Sequence, residues 1–340
     1  MSSVEKKKVI IESHIPAVPV ELAEHFNVVR LEPALITTEA VADADALIVR
    51  TRTRCNASLL AGSRVKFVAT ATIGTDHLDL PWLAANGIEA VSAPGCNAPA
   101  VAQYVFASLL HSGIALRGKT LAVIGVGHVG TIVARWGETL GINVLRVDPP
   151  RQRRGDPGHW LTLDEAASQA DIITFHTPLT LSGSDATYHL ASQQLIGRLK
   201  SGAILINAAR GEIFDTEAVV NAVEAGTIAA PIVDCWENEP DISLRLLQSA
   251  AVATPHIAGY SLEGKLRATS TVIAALCRRF NAPLPHLPQI NDPEGHGASA
   301  PTAEAIANSY NPLIDTAGLR HDPSLFEQLR NLYQLRNENI

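Results

Sequence analysis

Three side chains of different chemistry follow short apolar, strand-like runs in the second half of the chain. Arg210, Glu239 and His256 each lie just past such a run. Together these residue types suit hydride transfer from a carbon that bears a hydroxyl group. A histidine titrates in the range needed to take the hydroxyl proton, a paired carboxylate makes it more basic and orients it, and an arginine holds a substrate carboxylate. Taken singly, each of the three is more often structural.

Other residues compete for the same roles. His176 and His77 are rival bases, and Glu237 rivals Glu239 as the carboxylate partner. Periodicity alone leaves these alternatives open, because it does not say which side chains meet in the folded chain.

A glycine-rich turn between a predicted strand and a predicted helix supplies the strongest motif. The apolar run 120–124 predicts a buried parallel strand, Gly125, Gly127 and Gly130 follow it, and 131–140 predicts a helix. The first glycine permits a tight turn, the second lets the backbone approach a pyrophosphate, and the third allows close packing of helix on strand. The unpaired N–H groups of the helix then face the phosphates. This context predicts a dinucleotide site.

The acid at the end of the next predicted strand, 143–147, favours NAD over NADP. Asp148 is placed to accept hydrogen bonds from the adenosine ribose hydroxyls, and it would repel a 2′-phosphate. Arg151, Arg153 and Arg154 lie just downstream and act against this preference, because arginine accommodates that phosphate. We expect NAD as the cofactor.

Strand-like and helix-like stretches alternate along the chain, which predicts an α/β fold. The predicted strands are 9–11, 45–49, 65–69, 120–124, 143–147, 171–175, 203–206, 231–233 and 252–254. The main predicted helices are 20–26, 98–110 and 131–140, and 149–159 is predicted as a polar loop. Because parallel strands end at one edge of their sheet, where ligands bind, we expect Arg210, Glu239 and His256 to gather there.

A cluster of arginines and threonines follows the predicted strand 45–49. If Arg50 to Arg54 is extended, its three arginines share one side and its two threonines the other. The segment is then either a charged sheet edge that discourages pairing or a pocket for an anionic substrate. The loop from Thr70 to His77 is rich in small hydroxyl residues, which can donate to an anion or form a simple turn.

Length and composition limit the classes of function. A chain of 340 residues suggests two or three domains. The net charge of −7 gives no electrostatic footprint for nucleic acid. No apolar run approaches the roughly 18 residues of a membrane span. The four cysteines are scattered without a CxxC pair, which predicts reduced cytosolic thiols and neither a disulfide framework nor a zinc site.

The motifs around these residues resemble the D-isomer-specific 2-hydroxyacid dehydrogenase family. The resemblance is carried by the segments 71–79, 93–98, 148–151, 175–179, 207–211, 234–240 and 254–265. It extends from residue 9 to about 280, and within the family it favours a branch that acts on a phosphorylated four-carbon acid. It implies two Rossmann-like, doubly wound parallel-sheet domains and an NAD-dependent oxidation of a D-2-hydroxy acid.

The resemblance also selects site residues. It implies that Arg210, Glu239 and His256 are catalytic, in preference to their rivals. The implied substrate contacts are Arg50, Thr51, Thr72 and Tyr260, with Arg50 on the phosphate side. The residues implied to line the NAD site follow successive strands: Gly125, Gly127, His128, Val129, Gly130, Asp148, Thr177, Ala208, Ala209, Arg210, Asp234 and Gly259.

The domain organisation follows from the same resemblance. Residues 1–98 and 261–282 would form a split substrate domain, and 99–260 the NAD-binding domain. Residues 283–340 would form a linker and a reduced C-terminal dimerisation segment, of which 323–336 resembles the end of the family's dimerisation domain. The family further implies a cytoplasmic homodimer and a small anionic phosphorylated substrate, with no nucleic-acid, membrane or metal partner.

Other functions stay open at this level. The same mechanism could serve another D-2-hydroxy acid, such as glycerate, 3-phosphoglycerate, lactate or glyoxylate. The fold could also serve a non-catalytic NAD-sensing protein, since such proteins can retain all three residues. A formate dehydrogenase is disfavoured, because that relative carries glutamine where Glu239 stands.

Overall fold

Two parallel β-sheets, each in its own compact unit, form the framework of the chain. The computed structural model describes residues 6–288, 290 and 301–338. The first unit comprises Met1–Asn97 and Leu262–Pro293, and the second comprises Ala98–Ser261 and Glu294–Ile340. All strand pairs between neighbours are parallel. The predicted α/β class with two doubly wound parallel sheets is confirmed.

The elements alternate between strand and helix over most of the described chain. The strands are β1 (Lys7–Glu12), β2 (Phe26–Leu31), β3 (Ala46–Val49), β4 (Phe67–Thr70), β5 (Glu89–Val91), β6 (Thr120–Ile124), β7 (Asn143–Val147), β8 (Ile172–Phe175), β9 (Ile204–Asn207), β10 (Ile232–Val233) and β11 (Val252–Ala253). The α-helices are α1 (Leu22–His25), α2 (Thr38–Val41), α3 (Ala57–Leu60), α4 (Leu80–Ala85), α5 (Ala98–His111), α6 (His128–Thr139), α7 (Pro149–Arg154), α8 (Leu163–Gln169), α9 (Gln193–Ile196), α10 (Thr216–Glu224), α11 (Leu244–Ser249), α12 (Leu262–Arg279), α13 (Ala303–Ser309), α14 (Pro312–His321) and α15 (Phe326–Asn331). None of these helices, over the part of the chain that the structure describes, has the length and apolar character needed to cross a bilayer.

The order of the strands places a crevice beside the glycine-rich turn. The sheet of the first unit runs β2-β1-β3-β4-β5, and that of the second runs β11-β10-β9-β8-β6-β7. In the second sheet the chain moves from β6 to β7 on one side and then returns to β8 on the other. Ligands of such sheets bind outside the carboxyl ends of the strands where the order reverses. The turn after β6 lies at that point.

Alternating side chains of the central strands fill a separate core on each face of the second sheet. Leu121 and Val123 of β6 belong to one buried apolar cluster, and Ala122 and Ile124 belong to the other. This follows from the two-residue repeat of a strand. Because both faces are covered, the strand is apolar and buried from Leu121 to Ile124, as the sequence indicates. The rigid sheet therefore fixes the starting point of every loop at its carboxyl edge.

The glycine-rich turn is held by two close backbone approaches. Gly125 has φ +85°, and a Cβ on it would lie 2.9 Å from the carbonyl carbon of His176. A Cβ on Gly130, in the first turns of α6, would lie 2.0 Å from the carbonyl oxygen of Gly125. The structure thus requires glycine at both positions for the reasons that the motif predicts.

All the predicted strands are present, whereas strands β2 and β5 and several helices, α7 among them, were not predicted. The strands 120–124 and 143–147 have the predicted bounds. Strand β2 is partly exposed and β5 has three residues, so neither carries a clear apolar run. The predicted loop 149–159 was wrong over α7, because its two prolines lie at the helix start, where proline fits, and Asp148 caps the Arg151 N–H.

Arg50 to Arg54 is not extended, so the condition under which its arginines would share one side is not met. The Thr53 N–H donates to the Arg50 carbonyl at 3.3 Å, which closes a turn. The buried Glu12 carboxylate accepts hydrogen bonds from the Arg50 N–H at 2.9 Å and from the Thr53 hydroxyl at 3.3 Å. As a result Thr53 is buried and Thr51 is exposed, so the two threonines do not share a side.

The C-terminal helices belong to the second unit. Ile306, Leu319 and Phe326 lie in its two apolar clusters, and the Arg320 guanidinium donates to the Leu247 carbonyl at 3.2 Å. These residues therefore form part of the core around the second sheet. Dimerisation through this segment stays a prediction.

We expect Gly130→Ala to lower the free energy of unfolding by about 1–3 kcal/mol, because a methyl group there overlaps the Gly125 carbonyl and the packed backbone must shift. Gly318→Ala is the matched control within a helix, since a Cβ on Gly318 meets only a Leu329 methyl at 3.9 Å. It should leave stability unchanged or raise it by about 0.5–1 kcal/mol. Urea unfolding curves of both variants check this, and equal stabilities would contradict it.

Candidate functional site

The predicted site residues of the second unit collect at the carboxyl edge of its sheet. Each lies in the loop that follows a different strand, and neighbouring strands bring these loops side by side. In sheet order from β11 to β7, these residues are His256 and Gly259, then Asp234 and Glu239, then Ala208, Ala209 and Arg210, then Thr177, then the glycine turn with His128 and Val129, and finally Asp148.

His256 and Glu239 form a direct pair. The His256 Nδ1 lies 2.8 Å from Oε2 and 2.9 Å from Oε1 of the Glu239 carboxylate. The Trp236 N–H also donates to Oε1 at 2.9 Å. The side chain of His256 is 29% exposed and that of Glu239 is 17% exposed, so the pair is accessible but largely withdrawn from water. Since a carboxylate accepts hydrogen bonds, the neutral imidazole carries its proton on Nδ1 and presents the Nε2 lone pair.

The charge of Glu239 is maintained despite its burial. Burial would raise the pKa of this carboxyl, but the charge and hydrogen bond of His256, the Trp236 N–H and the charge of Arg330 outweigh it and lower the pKa. Glu239 therefore stays ionised and can stabilise a protonated imidazole.

A buried carboxylate fixes the backbone that carries His256. Asp234 is 1% exposed, and its Oδ1 accepts the Ile257 N–H at 2.8 Å while Oδ2 accepts the Ala258 N–H at 2.9 Å. The Thr254 hydroxyl donates to Oδ1 at 2.7 Å. Burial raises the pKa of Asp234, although His256, Thr254 and the two amides oppose the shift. Asp234 was predicted to line the NAD site, and here its carboxylate is engaged with the His256 loop.

His256 adopts a strained backbone conformation. Its φ is +56°, in the left-handed region that residues with a side chain seldom adopt. The His256 N–H donates to the carbonyls of Asp234 at 2.9 Å and Thr254 at 3.0 Å, which holds this conformation. Strain of this kind persists only where surrounding contacts impose it, and it occurs most often at functional sites.

Arg210 lies on the loop next to that of Glu239. A Cβ on Gly211 would lie 1.9 Å from the Trp236 carbonyl oxygen, so the two loops are in backbone contact. The charges of Arg210 and Glu239 both act on the Cys235 thiol. The Cys235 sulfur, a Glu239 oxygen and a His256 nitrogen in turn lie within 4.8 Å of one another. The structure therefore brings Arg210 into the neighbourhood of the His256–Glu239 pair.

These same three atoms of Cys235, Glu239 and His256 are the set in the described chain that could hold a metal ion. The thiol is a poor ligand, because burial raises the pKa of Cys235, with the charges of Asp234 and Glu239 adding to the effect. Metals bind the thiolate rather than the thiol. The chemistry of the set suits proton transfer better than metal binding.

The rival residues lie in other environments. The Glu237 carboxylate lies 2.6 Å from His189 Nε2 and accepts a hydrogen bond from the Thr216 N–H at 3.1 Å. His176 contacts the Thr174 hydroxyl at 3.0 Å, and burial lowers the pKa of His176 to about 3. In the first unit, burial lowers the pKa of His77 to about 4. Neither rival histidine is paired with a carboxylate in the described residues. The pair that His189 forms with Glu237 was not expected from the sequence.

The glycine turn and its neighbours fit an NAD molecule. A Cβ on Gly127 would meet nothing within 4 Å, so the space above this residue is open to a ligand. Gly127 precedes α6 and has no side chain to cap its first N–H groups. The Thr177 hydroxyl oxygen is buried and has no hydrogen-bond partner among the described residues. An unpartnered polar group beside an open turn is a natural contact for a phosphate or an amide.

The arginines that could favour NADP are engaged by acids. Arg151 pairs with Asp156 at 2.7 Å, Arg154 pairs with the same carboxylate at 3.0 Å, and Arg153 pairs with Asp185. Asp148 accepts the N–H groups of Val126 and Arg151, both at 2.9 Å. Its carboxylate therefore ties the glycine turn to the end of β7, where it would meet the ribose.

In the first unit, the predicted substrate residues follow β3 and β4. Thr72 shares a hydrogen bond with the Thr70 hydroxyl at 2.7 Å and donates to the Gly74 carbonyl at 3.0 Å. Thr51 is exposed on the turn after β3. Arg50 acts on Lys265 of α12: burial, with the charge of Arg50, lowers the pKa of Lys265 to about 8.

Sequence analysis missed three cations around these sites: Lys265, Arg330 and Arg336. The Tyr260 hydroxyl accepts a hydrogen bond from the Arg330 Nε at 3.3 Å. Arg336 donates to the carbonyls of Ile257 at 3.0 Å and Tyr260 at 3.2 Å, as well as to that of Ala258. These residues lie far from the glycine turn in the chain, and their spacing gives no sign of their position.

The chain is similar in sequence and in structure to several known proteins. Residues 101–258 match the model of the family described as D-isomer specific 2-hydroxyacid dehydrogenase, NAD binding domain. The chain is 44% identical over 339 residues to an erythronate-4-phosphate dehydrogenase of Bacteroides fragilis, covering 97% of each chain. It is 42% identical to the enzyme of the same name from Klebsiella pneumoniae, covering 97% of this chain and 92% of the relative. Among solved structures, the TT0316 protein of Thermus thermophilus superposes with a TM-score of 0.70 at 26% identity, covering 82% of this chain and 99% of that one.

The Thr177 hydroxyl provides a direct test of the NAD site. We expect Thr177→Val to weaken NAD binding by roughly 2- to 10-fold, the equivalent of one lost hydrogen bond. Stability should not fall, because the oxygen has no partner among the described residues to lose. Thr254→Val is the control, since that hydroxyl donates to Asp234 and its loss should lower stability. Calorimetric titration with NAD and thermal unfolding measure both effects; unchanged NAD affinity in Thr177→Val would contradict the assignment.

Proposed function

The chain belongs to the D-isomer specific 2-hydroxyacid dehydrogenase family, and from this membership we propose that it oxidises 4-phospho-D-erythronate to the corresponding 2-oxo acid with NAD. This reaction would place it in the biosynthesis of pyridoxal 5′-phosphate. The main support is the 44% identity to the Bacteroides fragilis relative over 97% of both chains. The hydrogen-bonded pair of His256 and Glu239, at the carboxyl edge of the second sheet, would supply the acid–base chemistry of this reaction.

We assign the base to His256. Its Nδ1 is hydrogen-bonded to Glu239, so Nε2 takes the proton of the substrate hydroxyl. The carboxylate of Glu239, which remains ionised, then stabilises the protonated ring. NAD, when bound along Gly125, Gly127 and Gly130, supplies the acceptor for the hydride that leaves the same carbon.

We assign Arg210 to the substrate carboxylate. A guanidinium can hold a carboxylate through two hydrogen bonds and can polarise the carbonyl that forms at the adjacent carbon. The backbone contact of Gly211 with Trp236 keeps the loop of Arg210 against the loop of Glu239. Tyr260, whose hydroxyl is held by Arg330, remains a proposed substrate contact, as do Thr51 and Thr72.

For the substrate phosphate we propose Arg50 and Lys265 of the first unit. The charge of Arg50 helps to lower the pKa of Lys265, so the two cations act on each other. A phosphate dianion would relieve this repulsion by interacting with both. The exposed Arg52 remains a further candidate on the same turn.

We also propose that the enzyme is a cytoplasmic homodimer. The resemblance of 323–336 to the end of the family's dimerisation domain supports the dimer, and the four buried cysteines without disulfides fit a reducing compartment. Light scattering after size exclusion measures the mass, and a monomer at micromolar concentration would contradict the dimer.

The substrate is tested by following NADH formation with a panel of D-2-hydroxy acids. We expect 4-phospho-D-erythronate to have the highest kcat/KM, above erythronate, glycerate, 3-phosphoglycerate and lactate. Reduction of NAD with another acid alone would reject the substrate. NAD binding without turnover of any acid would favour an NAD-sensing protein instead.

His256 and Glu239 are tested by paired variants. His256→Ala should lower kcat by about 10²–10⁴-fold while NAD still binds, because it removes the base. Glu239→Gln should lower kcat by at least about 10-fold, because the neutral amide cannot stabilise the protonated ring. Glu237→Gln is the matched control, since this carboxylate contacts His189 and Thr216 instead. Equal kcat in the two glutamine variants would contradict the assignment of Glu239.

Lys265 predicts a pH dependence that only a phosphorylated substrate shows. Below pH 8 the ammonium is charged and attracts the phosphate, and as pH rises through about 8 that charge is lost. We therefore expect the ratio of kcat/KM for phosphorylated over unphosphorylated erythronate to fall about tenfold between pH 7 and pH 9.5. Lys265→Arg keeps its charge and should make the ratio independent of pH. A wild-type ratio that does not change over this range would contradict the phosphate assignment.

A further inference from the structure

Arg330 of α15 reaches the proposed active site from the C-terminal part of the chain. Its Nη1 lies 3.6 Å from Oε2 of Glu239, the same oxygen that lies 2.8 Å from His256 Nδ1. Its Nε donates to the Tyr260 hydroxyl at 3.3 Å. The side chain is 17% exposed, so the guanidinium lies within the protein against the carboxylate.

We propose that Arg330 is a positioning residue for the dehydrogenase reaction: it holds the Glu239 carboxylate ionised and oriented toward His256, and it fixes Tyr260. This inference rests on the proposed function, because it assigns Arg330 to the same base. It gives the C-terminal segment a part in catalysis, beyond the dimerisation predicted from the sequence.

The electrostatics of the contact support a charged interaction. Burial would lower the pKa of Arg330, but Tyr260 and Glu239 outweigh it and the pKa is raised. The charge of Arg330 also contributes to lowering the pKa of Glu239, after the larger effects of burial and His256. The guanidinium and the carboxylate therefore stabilise each other's charged forms.

The benefit of a second cation follows from the proton transfer. Before the reaction the imidazole is neutral, and the buried Glu239 carboxylate then needs another positive partner to stay ionised. Arg330 supplies it. After the imidazole accepts the substrate proton, both cations share Oε2, and the repulsion between them favours release of that proton afterwards.

Several other titratable or charged groups lie around His256, Glu239 and Arg330. Besides His256, Glu239 and Arg330 themselves, the titratable and charged groups that act on this cluster are Asp234, Cys235, Arg210, Tyr260 and Glu327. Of these, Glu327 lies one helical turn from Arg330, at 3.5 Å. Its side chain is 44% exposed, so solvent screens its attraction for the guanidinium more than that of the buried Glu239.

A second arginine keeps this segment in place. Arg336 donates to the carbonyls of Ile257 at 3.0 Å and Tyr260 at 3.2 Å, and to that of Ala258. The loop that follows His256 is thus hydrogen-bonded to Arg336 through three carbonyls and to Arg330 through the Tyr260 hydroxyl. Arg330 therefore meets Glu239 from an anchored position.

Three variants test the proposal: Arg330→Met removes the charge, Arg330→Lys restores it, and Arg245→Met is the control. Arg245 is also paired with acids in the second unit, but its partners are the surface residues Glu217 and Glu224. We expect Arg330→Met to lower kcat by about tenfold at pH 7 and much less at pH 9. Without the repelling guanidinium the imidazole holds its proton to higher pH, so the acid limb of the kcat profile moves upward. Arg330→Lys should recover most of the activity at pH 7, and Arg245→Met should match the wild type.

A role of Arg330 in folding alone would give a different result. It would lower the unfolding temperature and reduce kcat by the same factor at every pH, with no recovery in Arg330→Lys. This outcome, or a kcat in Arg330→Met equal to that of the wild type, would overturn the proposal. If Arg330→Met does not fold, Arg330→Gln, which also removes the charge but keeps a polar side chain, takes its place with the same expected pH dependence and the same contrary outcomes.

A readout without substrate separates this proposal from the proposed function. Protonation of the His256 imidazole, followed by NMR in the protein without substrate, should shift upward by on the order of one pH unit in Arg330→Met. A shift in a protein that oxidises no 4-phospho-D-erythronate would reject the substrate and retain Arg330. An active wild type whose His256 titration is the same in both proteins would reject Arg330 and retain the substrate.

Discussion

The Glu239 carboxylate lies between an imidazole and a guanidinium, and its ionisation depends on both. Its Oε2 is 2.8 Å from His256 and 3.6 Å from Arg330. A carboxylate this buried is costly to ionise without such partners. Once it is charged, it orients the imidazole through Nδ1 and leaves Nε2 for a substrate. The proton chemistry we propose therefore depends on one carboxylate and the two cations around it.

The backbone around this carboxylate leaves little freedom. The Asp234 carboxylate binds successive amides after His256, and His256 itself is held at φ +56°. Gly211 allows the neighbouring loop to touch the Trp236 carbonyl. These contacts begin from strands that are covered on both faces, so the loops carry the chemistry while the sheet holds them in register. A larger residue at Gly211 or a lost carboxylate at Asp234 would therefore disturb the backbone around Glu239 and His256.

Charged side chains around the glycine turn and the end of β7 are also paired within the protein. Asp148 accepts two N–H groups and thereby joins the glycine turn to the end of β7. The three arginines that follow it are each paired with an acid. Their guanidinium groups are therefore engaged by side chains of the protein, and Asp148 remains the residue that disfavours a 2′-phosphate and so favours NAD.

The sequence by itself determined the α/β class, the central strands, the glycine turn and the placement of Arg210, Glu239 and His256, the three proposed catalytic residues, after successive strands. These features depend on local patterns: apolar runs, glycine at close approaches and polar residues at strand ends. It did not distinguish Glu239 from Glu237, which lie two residues apart and face different histidines. Nor did it indicate the turn at Arg50, which a buried Glu12 far away in the chain holds closed. Only the tertiary structure decided which histidine meets which carboxylate and brought Arg330 to Glu239, because contacts between residues distant in sequence depend on the packing of whole elements and leave no periodicity in the chain.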